Sequence, residues 1–204
     1  MKKIILIFTA LIVVSTISKA QDSTAMDFVK TNCSGTNHLF QDLDNGMAVV
    51  LFYYMPSCSS CPPPAKKVQT MLSNINNQYP GKVKAYAFPY SNTTKCSAAK
   101  TWVNANNLSL FTPMDSGANQ VAYYGGMGMP SVVLVGGKDH RVLYSANQDK
   151  PFATSDTTLM RDAILNLFNA STGLNSLPAT IQSVNVFPNP ANDYLNINLV
   201  LKQA

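Results

Sequence analysis

The sequence predicts an α/β fold, and three features carry that prediction. Ala48 to Tyr54 (AVVLFYY) is an unbroken apolar run of strand length, the pattern of a strand buried on both faces. After Cys61, the apolar residues Ala65, Val68, Met71, Leu72, Ile75 and Tyr79 recur with helical spacing and share one face. Residues 131–135 form a second, β-branched run, and further segments of strand and helix length alternate between the two. Strands alternating with helices imply a largely parallel central sheet covered on both sides.

Each element has a local reason. Residues 27–31 and 37–40 flank the turn-forming cluster Asn32-Cys33-Ser34-Gly35, so a β-hairpin opens the body. The AVVLFYY strand follows, then the helix after Cys61, which Pro80-Gly81 ends before a strand over 83–88. A second helix is expected over 95–106, burying Ala99, Trp102 and Val103. A short strand near Leu110-Phe111 and a short helix through Val121-Ala122-Tyr123 come next. Residues 131–135 and 141–144 pair across Gly136-Gly137-Lys138-Asp139. Ser155 is placed to cap a last helix with Leu159, Ala163, Ile164, Leu167 and Phe168 inward. From 170 to 184 the composition turns to Ser, Thr, Asn, Gly and Pro, a linker. Within 185–204 the alternating Tyr194-Leu195-Asn196-Ile197-Asn198-Leu199 predicts a strand, with no later strand to pair with it.

Residues 1–20 have the form of a secretory signal peptide. Lys2 and Lys3 precede the apolar run Ile4 to Val14, and Ser18-Lys19-Ala20 sets small residues at a cleavage site before Gln21. The run falls well short of the roughly 20 residues a spanning helix needs. The expected organisation is therefore a signal peptide over 1–20, a body over 21–169, a linker over 170–184 and a C-terminal segment over 185–204. The mature chain is expected in the periplasm or at the cell surface or exterior, with no membrane span.

Composition removes several functions. At 46% hydrophobic and 12% charged, the 204-residue chain is neither disordered nor coiled coil. Its formal charge of +5 includes Lys2, Lys3 and Lys19; without them 12 basic face 10 acidic side chains, a net of +2. With only Arg141 and Arg161 as arginines, there is no electrostatic footprint for nucleic acid. All ten acidic residues are Asp, so no step can be given to a glutamate.

Export makes the four cysteines candidates for disulfide chemistry. Four cysteines allow three pairings; Cys58 with Cys61 is one natural pair, which leaves Cys33 with Cys96. The motif is Met55-Pro56-Ser57-Cys58-Ser59-Ser60-Cys61-Pro62, between a buried strand and a helix. Two thiols three positions apart can close a small disulfide ring, and a helix start favours the first as a thiolate. Such a thiolate attacks a substrate disulfide, and the second thiol resolves the mixed disulfide. Zinc is the rival use of C-x-x-C, but zinc needs four ligands, there is no second C-x-x-C, and His38 and His140 lack metal-site spacing. No metal and no cofactor is expected.

A second segment, Tyr124-Gly125-Gly126-Met127-Gly128-Met129-Pro130-Ser131-Val132-Val133-Leu134-Val135, resembles the thioredoxin segment in which a cis proline precedes a central strand. The resemblance implies a thioredoxin-like fold in which Pro130 is that proline and Met129 faces the C-x-x-C pair, with exposed backbone there able to pair with a substrate peptide. From about 27 to 168 the body resembles TlpA-like and ResA-like redoxins. The N-terminal hairpin fits that branch, as does a helix–strand insertion through Thr101-Trp102-Val103-Asn104-Ala105-Asn106-Asn107-Leu108 and Phe111-Thr112-Pro113-Met114-Asp115. Phe187-Pro188-Asn189-Pro190-Ala191 resembles the beginning of a type IX secretion sorting domain, here truncated.

Four departures from the family stand out. Ser57 takes the place of a tryptophan before the first cysteine. Phe52 lies where many thioredoxins keep a buried carboxylate that helps deprotonate the second cysteine. Pro62-Pro63-Pro64 is expected to delay a regular helix and weaken its dipole at Cys58. Cys33 and Cys96 are extra; a staple between hairpin and insertion, worth about 4 kcal/mol on the chain-entropy model, is favoured over a second redox pair.

The resemblance implies a secreted thiol–disulfide oxidoreductase acting on protein disulfides or dithiols, with Cys58 attacking and Cys61 resolving. In the periplasm a membrane electron donor would feed it as a reductant; outside the cell an oxidising or isomerising role fits better. The alternative is a non-catalytic binding or structural domain with a permanent Cys58–Cys61 disulfide. Peroxide reduction is disfavoured because Met55 stands three before Cys58 where Thr or Ser is needed, and Sco-type copper delivery because the cysteine spacing is one residue short.

Overall fold

The computed structural model describes residues 24–32, 35–126, 128–147, 150–153, 155–171, 181–187 and 196–201. The expected signal peptide, Cys33, Met127 and the motif at 188–191 lie outside the described residues.

The chain opens with a hairpin of β1 (Val29–Asn32) and β2 (Gly35–His38), antiparallel with Val29 opposite His38. Leu39 and Phe40, expected in the second hairpin strand, belong instead to a short helix, α1 (Leu39–Asp44), because Leu39 and Leu43 reach the core together one turn apart. Then come β3 (Ala48–Tyr54), α2 (Pro62–Gln78), β4 (Val83–Pro89), α3 (Cys96–Ala105), β5 (Phe111–Pro113), α4 (Ala118–Tyr123), β6 (Ser131–Gly136), β7 (Arg141–Ala146) and α5 (Asp156–Ser171).

The central sheet has the order β5-β4-β3-β6-β7. β3, β4 and β5 are mutually parallel, whereas β6 runs antiparallel to β3 and β7 antiparallel to β6. The sheet is mixed, not largely parallel as the alternation predicted. A parallel neighbour needs a crossover that returns the chain to the other end of the sheet. The six residues of α4 rise only about 9 Å, too little to carry the chain back along β6. The chain therefore re-enters the sheet at the end where β3 finishes, with Ser131 opposite Tyr53.

β3 is central, and all seven of its residues are buried. Alternate side chains serve two cores. Val50, Phe52 and Tyr54 face a layer built from α2, α3 and α5, which includes Val68, Leu72, Trp102, Met160 and Ile164. Val49, Leu51 and Tyr53 face Phe28, Leu39, Leu43, Tyr86, Phe88, Met114 and Tyr124. In α5 the inward row is Met160, Ile164 and Phe168; Leu159, expected inward, is 53% exposed because Met160, one position on, takes its place in the i, i+4, i+8 row.

Ile181–Phe187 and Asn196–Leu201 form β8 and β9, an antiparallel pair. The alternating strand that the sequence left unpartnered thus pairs backwards, with residues the composition assigned in part to a linker. Ile181, Val184 and Val186 supply β-branched positions that the surrounding Ser and Asn obscure.

Candidate active site

The C-x-x-C segment leaves the buried end of β3 and enters α2 through a tight turn. Cys58 N–H donates to the Met55 carbonyl at 2.9 Å, and Cys61 N–H to the Cys58 carbonyl at 3.3 Å. The proline run does not delay the helix as expected. α2 begins at Pro62, with Cys61 already in right-handed helical geometry (φ −77°, ψ −38°). Prolines in a first turn lack only N–H groups that have no intrahelical partner there, and their φ is preset. Ala65 N–H closes that turn on the Cys61 carbonyl at 3.3 Å.

The turn separates the two thiols by environment. Cys58 is partly exposed, whereas Cys61 is fully buried against Phe52, Tyr54, Ala65 and the rest of the α2 core layer. Both are free thiols. Burial pushes the Cys58 thiol up, but hydrogen bonds to its sulfur from the Cys61 thiol, the Ser60 hydroxyl and the backbone N–H groups of Ser60 and Cys61 outweigh it, and the net movement is down. The Ser60 hydroxyl lies 3.0 Å from Cys58 Sγ. Cys61 moves the other way, pushed up to about 12 by burial first and then by its bond to Cys58; the Met55 backbone opposes this only in part. No carboxylate is among the groups that shift either thiol. Phe52, at the position where a carboxylate was sought, is sealed in apolar contact, 5.7 Å centroid to centroid from Phe111 and 6.2 Å from Trp102.

The second segment meets the first across the sheet. The Met129–Pro130 peptide bond is cis. The Met129 carbonyl lies 3.9 Å from Cys58 Sγ, so Met129 and Cys58 are brought together. Ser131, buried at the start of β6, holds this loop by donating from Oγ to the Gly128 carbonyl at 2.8 Å. Gly126 must lack a side chain here, since a Cβ would stand 2.7 Å from Ser131 Oγ. Ser60 and Ser131 are site residues that sequence reasoning missed. For Ser60 the position inside C-x-x-C was a usable signal; nothing in the sequence singles out Ser131.

Cys96, at the first turn of α3, is disulfide-bonded. Cys33, the partner expected for it, lies outside the described residues. Among the described residues no group of three or more His, Cys, Asp or Glu side chains is placed to hold a metal ion. No helix there is long and apolar enough to cross a membrane.

No family model and no curated protein matches the chain. Solved structures do. One is a protein named as a disulfide isomerase from Bacteroides thetaiotaomicron, 14% identical, with a TM-score of 0.58 over 74% of this chain and 92% of that one. Another is a protein named as a thioredoxin from Neisseria meningitidis, 19% identical, with a TM-score of 0.56 over 76% of this chain and 99% of that one. A third is a protein named as the thiol:disulfide interchange protein DsbE from Chlorobium tepidum, 19% identical, with a TM-score of 0.53 over 71% of this chain and 95% of that one. At these identities the likeness establishes the fold: the body is thioredoxin-like.

Proposed function

We propose that this protein is an exported thiol–disulfide oxidoreductase acting on protein disulfides and dithiols through Cys58 and Cys61. The observation that carries the reading is the division between the two sulfurs. One is partly exposed and eased toward the thiolate; the other is buried, held as a thiol and in contact with the first. That is the asymmetry an attacking and a resolving cysteine need. The names of the three structural neighbours support the same chemistry.

In the reductive direction Cys58 Sγ attacks a substrate disulfide, forming a mixed disulfide and releasing one substrate thiolate. Cys61 gives up its proton and attacks Cys58 Sγ, which closes Cys58–Cys61 and releases the second substrate thiolate. The substrate gains two electrons and the pair loses two; the oxidative direction is the reverse. The Met129 carbonyl, beside the reacting sulfur, is suited to take a backbone N–H of the substrate chain, with Pro130 fixing that edge. Cys33 with Cys96 serves as a staple between the hairpin and α3. Residues 1–20 direct export to the periplasm or beyond, and in the periplasm a membrane electron donor is the matching partner. Phe187-Pro188-Asn189-Pro190-Ala191 belongs to a secretion sorting segment.

The test equilibrates the chain from Gln21 onward with graded glutathione buffers and quantifies each cysteine by mass spectrometry. The expected result is reversible exchange at Cys58–Cys61, with Cys33 and Cys96 joined throughout. The midpoint then gives direction, about −270 mV for a reductant and about −120 mV for an oxidant. A Cys58–Cys61 bond that resists every buffer overturns the enzyme reading in favour of a structural domain.

A further inference from the structure

Helix starts stabilise anions because their first N–H groups have no partner inside the helix. In α2 the first three positions are Pro62, Pro63 and Pro64, and none has an N–H. The next N–H, that of Ala65, is already committed to the Cys61 carbonyl. The start of α2 is therefore stripped of the donors that a thiolate beside it would use, yet the groups around Cys58 still favour the charged form. Those groups all lie within the loop itself: the Cys61 thiol, the backbone N–H of Ser60 and Cys61, and the hydroxyl of Ser60. The Cys61 thiol is spent when it attacks, and the backbone N–H groups come with any residue. Ser60 Oγ, 3.0 Å from Cys58 Sγ, is the one donor in the set that depends on a side chain outside the cysteine pair.

We propose that Ser60 is a positioning residue whose hydroxyl donates to the Cys58 sulfur in its thiolate form, standing in for the N–H donors that Pro62-Pro63-Pro64 removes from the start of α2. The inference rests on Cys58 being the attacking thiol. It predicts that reactivity at Cys58 depends on a residue that shapes neither the fold nor the core, since Ser60 is exposed. It also predicts that the hydroxyl and the proline run compensate each other: returning an N–H to the first turn should make the hydroxyl less necessary.

The experiment titrates the reduced full chain by thiolate absorbance and follows alkylation of Cys58 by iodoacetamide at pH 6.5. Ser60→Ala should move the thiolate midpoint upward and slow alkylation, about threefold for each tenfold of thiolate lost, because the greater nucleophilicity of the more basic sulfur offsets the remainder. Ser60→Thr, which keeps the hydroxyl, should restore both readouts. Adding Pro63→Ala to Ser60→Ala should recover part of the loss. An unmoved midpoint in Ser60→Ala, or a Ser60→Thr as slow as Ser60→Ala, overturns the role of the hydroxyl; no recovery with Pro63→Ala overturns the compensation. In the oxidised form, where neither thiol titrates, the melting temperatures of Ser60→Ala and Ser60→Thr should match that of the wild-type chain, which separates this role from a structural one. Failure of the wild-type chain to exchange in glutathione buffers would sink the proposed function while leaving the titration result standing.

Discussion

The two ends of β3 are built from different chemistry. At the start of the strand, one ion pair, side-chain hydrogen bonds and stacked rings clamp the neighbouring elements. Asp42 accepts from Tyr86 at 2.5 Å and pairs with Lys84 at 2.7 Å, tying α1 to β4. Asp44 meets His140 Nε2 at 2.8 Å, and the His140 ring stacks on Phe40 at 3.9 Å, tying α1 to the β6–β7 turn. At the finish of the strand the reacting sulfurs are held by hydroxyl, thiol, backbone N–H and one carbonyl at 3.9 Å. Neutral donors to sulfur can be broken and remade as a disulfide opens and closes; the clamp at the other end has no such task. The difference teaches that the Asp42–Lys84 pair holds two elements together at one end of β3, while the sulfurs at the other end are left to groups that can exchange partners.

The sharpest way to break that comparison is to remove one group from each end. Cys58→Ser should abolish exchange with a model disulfide substrate, since no other partly exposed free thiol stands among the described residues, and should leave the melting temperature nearly unchanged. Asp42→Ala should do the opposite. It strands the buried Tyr86 hydroxyl and the Lys84 ammonium, which should cost about 1–3 kcal/mol in urea unfolding while the exchange rate stays within about twofold. Exchange lost in Asp42→Ala at a temperature where the protein remains folded would show that the two ends are coupled after all.

Phe52 lies between the ends and tests what replaced the missing carboxylate. It is fully buried, in an aromatic group with Phe111 and Trp102, and Trp102 also stacks on Tyr54 at 3.8 Å. Phe52→Ala should cost about 3–5 kcal/mol by leaving a cavity the surrounding rings cannot fill. A loss under about 1 kcal/mol would mean the layer behind Cys61 is loosely packed, and would weaken the case that burial holds Cys61 as a thiol.

The comparison also shows what a sequence displays and what it hides. β3, α2 and the buried row from Ala65 to Ile75 were legible because periodicity reports directly on burial. The C-x-x-C spacing was legible because it is local, whereas the Met129-Pro130 step was read from its resemblance to the thioredoxin segment. The direction of β6 was not, since it depends on whether a short connection can span the sheet. Leu159 was misplaced because one residue of helix rotation decides which of Leu159 and Met160 points inward. The start of α2 was misjudged because the restriction on residues before proline was weighed, but not the absence of any partner for N–H groups in a first turn. Ser131 and Asp42 were invisible for one reason: a hydroxyl or carboxylate announces nothing until its partner is brought alongside.

The smallest expected effect is a pH dependence that isolates the two thiols from everything else. Cys58 is held below its ordinary thiol value of 9.0 in the fold, so its contribution to stability is lost as pH falls through its folded value and is complete above 9.0. Cys61 is pushed up to about 12, so its contribution is complete below 9.0 and is lost as pH rises from there toward 12. In the oxidised protein neither thiol titrates. The stability of the reduced form minus that of the oxidised form should therefore rise toward pH 9 and fall beyond it. Buried tyrosines such as Tyr124, raised by burial to about 12, affect both forms alike and cancel in the difference. Urea unfolding of both redox forms between pH 6 and 10.5 measures the curve. A difference that climbs without turning over would mean that Cys61 ionises as readily as an ordinary thiol, and a difference that only falls would mean that Cys58 gains nothing from the donors around it.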